Sequence, residues 1–249
     1  YVPYERYSGK YLEALACLRT GGRIPLSISG SMKRICEVAK GSFLKEVREE
    51  WFSTCIYTDD GVASLPDGRI KLVRNAFSAS TVLGIVDHGA LSLSYQAWDA
   101  FSGSEVLELS KGRVKELEKK GYLIEDAKNI EELYFLAKDG LPLYLNLLSI
   151  LNPTARIWHN LSSHRSSSPC LRPLVVNNVY NVKNNGSLIA HGDLNNKACT
   201  IVGESKKNGN GSNGTYQLTR EQLLGLAEDK MSQRKLKEYE RCLDLLLQH

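Results

Sequence analysis

Residues 104–126 have the most regular pattern of apolar and polar positions in the chain. Apolar residues recur there at helical spacing, at Val106, Leu109, Val114 and Leu117, with charged residues between them. Such spacing gathers the apolar side chains on one side of a helix. The pattern therefore predicts an amphipathic helix that packs on the rest of the protein through this side.

Ser110 and Gly112 interrupt this segment and indicate two short helices rather than one. Because a serine side chain accepts hydrogen bonds from the first free amides of a helix, Ser110 is predicted to cap the second helix. Gly121 is predicted to end it, since glycine adopts the positive φ of a C-terminal cap. Tyr122 to Ile124 then form a short apolar run that predicts a strand.

The first half of the chain alternates helical and strand-like patterns. Tyr4 to Leu18 and Ser31 to Trp51 each carry apolar residues on one helical face, which predicts two helices. Alternation on both sides of Pro66-Asp67-Gly68 predicts a β-hairpin over residues 62–73. Thr58 to Gly61 contains two aspartates and a glycine and is predicted as a turn.

Shorter elements are predicted before residue 153. Ala90 to Leu93 has the pattern of a strand, and Ser94 begins a helix that contains Trp98. Glu131 to Lys138 and Leu141 to Leu151 extend the helical content. Together with the first half, these elements predict a mixed α/β domain over residues 1–153.

Residues 174–205 differ in composition, because their apolar residues are spread among many asparagines. Asn184-Asn185-Gly186 favours a tight turn, since asparagine and glycine tolerate positive φ. The segment is therefore predicted to be a small β-hairpin unit. Residues 154–173, which contain a run of serines, are predicted to be the linker that precedes it.

The C-terminal part is predicted to be a flexible loop followed by a long helix. Residues 206–217 begin with a polar run that is rich in glycine and asparagine. Thr219 and Gln222 form a capping box at the start of a helix over residues 218–249. The apolar residues of this helix fall mostly on one stripe, which is the predicted oligomer interface: Leu223, Ala227, Leu236, Tyr239, Leu243 and Leu246.

These patterns predict an α+β fold with three parts. The first is an N-terminal region of helices and short antiparallel strands, the second is the small Asn-rich β unit, and the third is the long C-terminal helix. The chain of 249 residues is long enough to form such a fold with its own core. Its formal net charge of +4 permits binding to an anionic polymer but does not require it.

Six cysteines are scattered along the chain without a CxxC pair. This distribution is typical of free thiols in a reducing compartment, so we expect a cytoplasmic location, or a virion for a viral protein. His159, His164 and His191, with Cys170 and Cys199, have no standard zinc-ligand spacing. The two neighbouring carboxylates at residues 59 and 60 would need further ligands. No metal and no cofactor are therefore predicted, and no apolar run has the length of a membrane span.

Residues 91–126 resemble a winged helix-turn-helix. The resemblance is carried by a helix from Ser94 to Phe101, by a second helix that is basic at its start, and by the sequence EKKGYLI, which would begin the wing. It implies a nucleic-acid partner, because a recognition helix enters the major groove through its first turns. The basic residues that would contact this partner are Lys111, Arg113, Lys115, Lys119 and Lys120. Glutamates between them make the surface mixed in charge.

An enzyme is a further alternative. His191-Gly192-Asp193 is similar to the HGD sequence of aminoglycoside-phosphotransferase-like kinases, in which the aspartate is the catalytic base, but no glycine-rich nucleotide loop precedes it. A Cys/His site would need Cys55 or Cys170 close to His88 or to the histidine at residue 164. No known nucleophile or nucleotide-binding motif identifies an active site.

The pattern favours a non-catalytic binding or assembly protein that self-associates. The Asn-rich strands can pair with copies of themselves, and the stripe of the C-terminal helix needs a surface to cover it. That surface belongs either to the same chain or to another subunit. We interpret the protein as a structural protein of a virus or mobile element, with no membrane partner.

Overall fold

The structure is a computed structural model that describes residues 4–41, 43–77, 85–119, 121–161, 167–184 and 186–205. The strands of this part are β1 (Tyr4–Gly9), β2 (Arg23–Pro25), β3 (Ile56–Ser64), β4 (Ile70–Val73), β5 (Val86–Asp87), β6 (Ala90–Ser92), β7 (Val106–Leu109), β8 (Tyr122–Leu123), β9 (Arg156–Asn160), β10 (Cys170–Val176), β11 (Ser187–His191) and β12 (Cys199–Ser205). The helices are α1 (Tyr11–Thr20), α2 (Ile28–Lys40), α3 (Lys45–Ser53), α4 (Tyr95–Ala100), α5 (Lys111–Lys119), α6 (Ile124–Ala127), α7 (Glu131–Ala137), α8 (Gly140–Leu151) and α9 (Val179–Lys183). The predicted mixture of helices and strands is confirmed.

The two ends of the described chain meet in the sheet. β1 and β12 pair antiparallel from Tyr4↔Glu204 to Gly9↔Cys199. The prediction of a helix from Tyr4 to Leu18 is therefore wrong for its first six residues and holds for α1. The helical pattern over Tyr4 to Leu18 is a local signal, and in residues 4–9 pairing with β12, almost two hundred residues away, overrides it.

β3 is the central strand, and all nine of its residues are buried. It pairs with β10 and β4 antiparallel and with β12 parallel. The predicted turn at residues 58–61 is wrong, because Asp59, Asp60 and Gly61 lie inside this strand. Gly61 also has a packing role, since a Cβ atom there would lie 2.7 Å from the Cβ of Ala76.

The hairpin predicted over residues 62–73 is confirmed. β3 and β4 pair from Gly61↔Val73 to Ser64↔Ile70. The turn is stabilised by Asp67, whose Oδ1 accepts a hydrogen bond of 2.9 Å from the Arg69 amide. Gly68 supplies the positive φ of 93° that the turn requires. This element could be predicted because its signals are all local.

Helices cover both faces of the sheet. On one face, α2, α7 and α8 pack over residues that include Ile56 and Val62 of β3. On the other face, α1 and the side chains of Phe77 and Trp98 pack over Tyr57 and Ala63 of the same strand. Alternate residues of β3 therefore enter two separate hydrophobic cores.

The sheet crosses the boundaries predicted at residues 153 and 173. The segment predicted as a linker contains β9 and the beginning of β10. The segment predicted as a separate hairpin unit contains α9 between β10 and β11, which pair antiparallel. Its last strand, β12, pairs with β1 and β3 of the N-terminal region. The Asn-rich strands are thus integral to the main sheet.

The predicted C-terminal loop and helix, residues 206–249, lie outside the described residues. No helix in the described ranges combines the length and the apolar character that crossing a membrane requires.

Candidate functional site at the edge of the sheet

The segment from residue 104 to residue 126 contains β7, α5, β8 and the beginning of α6. The predicted helix over Val106 to Leu109 is wrong, because these residues form β7 and pair with β4 from Val73↔Val106 to Ile70↔Leu109. The predicted cap of the second helix is confirmed, since Ser110 Oγ accepts a hydrogen bond of 3.3 Å from the Arg113 amide. The strand predicted over Tyr122 to Ile124 is confirmed for Tyr122 and Leu123, which form β8, whereas Ile124 begins α6.

This order of elements differs from a winged helix-turn-helix. Between α4 and α5 the chain forms the strand β7, and β8 pairs with β9 of the same sheet rather than starting a wing. The architecture of residues 91–126 therefore gives no support to the resemblance. Nucleic-acid binding by the basic residues of α5 stays a prediction.

The structure separates the five predicted nucleic-acid contacts. Lys111, Lys115 and Lys119 are exposed and lie four residues apart on one side of α5. Lys120 lies outside the described residues. Arg113 differs from these lysines, because its guanidinium forms an ion pair with Glu132.

Arg113 and Glu132 form a two-pronged pair between α5 and α7. Arg113 Nε lies 2.7 Å from Glu132 Oε1, and its Nη2 lies 2.9 Å from Oε2. Burial alone would raise the pKa of Glu132, but the hydrogen bonds from Arg113 outweigh it and hold this pKa below its usual value. The same bonds raise the pKa of Arg113. The guanidinium is thus committed to its own chain and is only about one-third exposed, at 33%.

His159 of β9 lies behind this pair and is 1% exposed. Among the described residues, neither ring nitrogen of His159 has a hydrogen-bond partner. Burial lowers the pKa of His159 to about 4, although the nearby Glu132 carboxylate acts in the opposite direction. The ring of Tyr122 lies over the imidazole, with centroids 6.4 Å apart and planes inclined by 29°.

An open cleft of about 490 Å³ lies in front of these groups. Tyr122 separates the cleft from His159. Arg156 also lines the cleft, and its Nη1 donates a hydrogen bond of 2.9 Å to the carbonyl of Gly121. The lining residues are Arg113, Glu116, Gly121, Tyr122, Leu123, Asp126, Asn129, Ile130 and Arg156.

The cleft offers more hydrogen-bond acceptors than uncommitted donors. Asp126 and Asn129 are exposed on its wall. Glu116 is 51% exposed and accepts one hydrogen bond of 2.9 Å from Arg113, which leaves further acceptor positions on its carboxylate. An amine, a guanidinium or a hydroxyl group would complement this wall, whereas a phosphate would meet two carboxylates.

The other predicted sites are not assembled in the described residues. Cys55 is hydrogen-bonded to two asparagines, with Asn177 Oδ1 at 3.6 Å and Asn178 Nδ2 at 3.5 Å. His88 is exposed in the turn between β5 and β6. No group of three or more potential metal ligands occurs within the described ranges. The predicted oligomer stripe from Leu223 to Leu246 lies outside them.

Sequence reasoning selected Arg113 but missed the groups that define the cleft. Glu132 occurred only as part of a predicted helix, and His159 was considered only as one of several zinc ligands. Tyr122 was predicted to lie in a strand, but no functional role was predicted for it. These side chains come from α5, α7, β8 and β9, and no local spacing indicates that they meet.

Comparisons with known proteins identify a fold but no function. No protein-family model matches the chain, and no curated protein matches it in sequence. A solved structure described as "Accommodation of massive sequence variation in Nanoarchaeota by the C-type lectin fold" superposes with a TM-score of 0.56 and 14% sequence identity. The match covers 81% of this chain and 96% of the other. The chain is therefore similar in fold to C-type lectin domains, an arrangement that the sequence did not predict.

Proposed function

We propose that this chain is a non-catalytic binding protein whose edge cleft receives a cationic side chain, an amine or a guanidinium, from a macromolecular partner. The observation that carries the proposal is the division of roles within the cleft. Glu132 neutralises Arg113, and Glu116, Asp126 and Asn129 remain available on the open wall. Charge-assisted hydrogen bonds to carboxylates are among the strongest that a protein surface offers.

The position of His159 supports binding rather than catalysis. An imidazole is the commonest general base in enzymes, and it must reach the reacting group directly or through one water. Here the ring is 1% exposed and lies behind Tyr122. The groups that do face the cleft are two carboxylates, an amide and two arginines with partners on the same chain.

The fold similarity also supports a binding role. The C-type lectin fold is described for the nanoarchaeal structure as accommodating massive sequence variation. A scaffold of that kind can keep its core while its surface side chains change. We infer that this chain uses the scaffold in the same way, with the specificity set by exposed residues.

Nuclear magnetic resonance titration with three small probes tests the proposal. The probes are N-acetyl-arginine amide, a neutral disaccharide and inorganic phosphate. The arginine amide is expected to shift the signals of Gly121 and Asn129, and the combined variant Glu116→Gln and Asp126→Asn is expected to bind it about tenfold more weakly.

The matched control is Glu125→Gln, because Glu125 is an exposed carboxylate beside Asp126 that does not line the cleft. This variant should bind the arginine amide as the unchanged protein does. Preferential binding of phosphate or of the disaccharide, or equal binding of the arginine amide by the Glu116/Asp126 variant, would reject a cation site.

Nucleic-acid binding is a second candidate, supported by the exposed row of Lys111, Lys115 and Lys119 on α5. If this row contacts phosphates, affinity for a duplex should fall steeply with salt. Changing all three lysines to glutamine should then reduce the slope of log affinity against log salt by about 3. An unchanged slope would remove the candidate.

A further inference from the structure

Tyr122 is the aromatic residue among those that line the edge cleft. Its side chain is partly buried, and the imidazole of His159 stacks on its ring with centroids 6.4 Å apart. His159 is 1% exposed and does not line the cleft, whereas Tyr122 does. The ring face that is turned away from His159 is therefore the one that a ligand in the cleft can contact.

His159 supports the Tyr122 ring from behind without adding a charge. Burial lowers the pKa of His159 to about 4, so the imidazole is neutral at pH 7. It lines a separate cavity of only about 10 Å³, which is too small for an organic ligand. A neutral ring in this position fixes the orientation of Tyr122 and does not repel a cation on the other face.

The polar groups beside this ring suit a guanidinium better than an ammonium. Glu116, Asp126 and Asn129 line the same cleft and present acceptor oxygens. A guanidinium is planar, so it can lie on an aromatic ring while its five N–H groups point sideways to such acceptors. An ammonium is a compact charge that holds its water more strongly, so it loses more hydration when it enters a cleft.

The charges of the cleft leave room for a further cation. Arg113 is paired with Glu132 and lies 2.9 Å from a carboxylate oxygen of Glu116. With Arg156 and Asp126, the cleft wall and the carboxylate behind it hold two positive and three negative charges. The excess of one negative charge favours a cation over an anion.

The apolar part of the cleft suits the stem of a long side chain. Leu123 is partly buried and Ile130 is 5% exposed, and both line the cleft. The methylene groups of an arginine or a lysine can pack on such residues while the charged end reaches the acceptors. The stem therefore does not distinguish the two cations, and the distinction falls to the head group and the Tyr122 ring.

We propose that the cleft selects an arginine side chain of a partner over a lysine side chain, because the guanidinium stacks on Tyr122. This inference rests on the cation site proposed above and names the class of cation that the site takes. Tyr122 supplies the aromatic face, and Glu116 and Asp126 accept hydrogen bonds from the guanidinium. A cation on an aromatic ring is stabilised enough to give a preference of about tenfold.

Titration of the full chain at pH 7, followed by nuclear magnetic resonance, tests this selectivity. The probes are N-acetyl-arginine amide, N-acetyl-lysine amide and N-acetyl-citrulline amide, a neutral analogue of arginine with nearly the same shape. The arginine amide should bind about tenfold more tightly than each of the other two. Tyr122→Leu should abolish the preference for arginine over lysine, and Tyr122→Phe, which keeps the ring, should retain it.

The control variant is Tyr95→Leu, because Tyr95 is a 60% exposed aromatic residue on α4 that does not line the cleft, and it should retain the preference. Equal binding of arginine and lysine, with weaker binding of citrulline, would overturn the selectivity and leave the cation site in place. A preference that survives in Tyr122→Leu would overturn the proposal as well. Citrulline binding as tight as that of arginine, or no binding of either cation, would overturn both the selectivity and the cation site. The three probes on the unchanged protein decide the selectivity even if Tyr122→Leu fails to fold.

Discussion

Within the part of the chain that the structure describes, carboxylates are buried in two places, and their surroundings differ. In the centre of the sheet, Asp59 lies 3.3 Å from Arg19 Nη2, and Asp60 accepts hydrogen bonds from the amides of Ile28 at 2.7 Å and Asn75 at 3.1 Å. At the edge, Glu132 is paired with Arg113, but the neighbouring His159 has no hydrogen-bond partner among the described residues, and a cleft opens in front of the pair.

The difference distinguishes a structural cluster from a binding site. The central carboxylates connect β3 to α1, to the start of α2 and to the turn after β4, and both have partners. Such a cluster holds elements together and offers no acceptor to a ligand. The edge cluster leaves acceptors on an open wall, and this is the arrangement that we associate with recognition.

The largest effect is expected from Asp60→Ala. The substitution leaves the buried amide of Ile28 and the partly buried amide of Asn75 without their acceptor. An unsatisfied buried donor is costly, so the free energy of unfolding should fall by about 3 kcal/mol. Urea denaturation measures this change. Asp67→Ala is the control, since Asp67 also accepts a backbone hydrogen bond but lies in an exposed turn, and it should cost less than about 1 kcal/mol.

The two clusters should respond to pH with opposite signs. Burial lowers the pKa of His159 from 6.5 to about 4, so the stability that it contributes is complete above pH 6.5 and is lost as the pH falls through 4. Burial raises the pKa of Asp60 from 3.8 to about 6, against the opposing effect of its two backbone hydrogen bonds. Its contribution is complete below pH 3.8 and is lost as the pH rises through 6.

Two variants separate these contributions between pH 7 and pH 5. On going to pH 5, the free energy of unfolding of His159→Phe should rise by about 2 kcal/mol relative to that of the unchanged protein. The reason is that a histidine takes up a proton in the unfolded chain but not in the folded one at this pH, whereas phenylalanine takes up none. Over the same interval, the free energy of unfolding of Asp60→Asn should fall by about 1 kcal/mol relative to that of the unchanged protein. Denaturation at several pH values measures both. If the two differences have the same sign, the assignment of the two groups is wrong.

The sequence predicted those parts of the fold whose signals are local. The β3–β4 hairpin follows from alternation around Pro66-Asp67-Gly68, and the start of α5 follows from the serine before it. The prediction from sequence failed where the residues that interact lie far apart in the chain. Two adjacent aspartates favour a turn, yet residues 19, 28 and 75 supply the groups that stabilise them inside a buried strand.

The same contrast between local signals and distant partners explains which residues of the candidate site could be predicted. A basic residue near the start of a helix suggests a phosphate contact, and Arg113 was selected for that reason. Its carboxylate partner is nineteen positions later, on another helix. The α5 lysines, which have no such partner in the ion pairs of the described residues, keep the exposure that the prediction required. Composition could not indicate which basic residue a buried carboxylate would pair with.

A double-mutant cycle on Arg113 and Glu132 should give an intermediate effect. The variants are Arg113→Leu, Glu132→Leu and their combination. We expect a coupling of about 1.5 kcal/mol, below the value for a fully buried pair because the arginine is partly exposed. The comparison pair is Arg113 with Glu116, which is 51% exposed and should couple by less than about 0.5 kcal/mol. Equal couplings would mean that burial of Glu132 does not strengthen the pair.

The smallest effect on stability is expected from Asp126→Asn, and this result would define the edge cluster most sharply. Asp126 is exposed on the cleft wall, so its carboxylate holds no other element in place. The free energy of unfolding should change by less than about 0.5 kcal/mol, whereas binding of N-acetyl-arginine amide should weaken. Loss of binding without loss of stability separates a recognition group from a structural one. A stability loss as large as that of Asp60→Ala would instead place Asp126 among the structural carboxylates and remove the contrast between the two clusters.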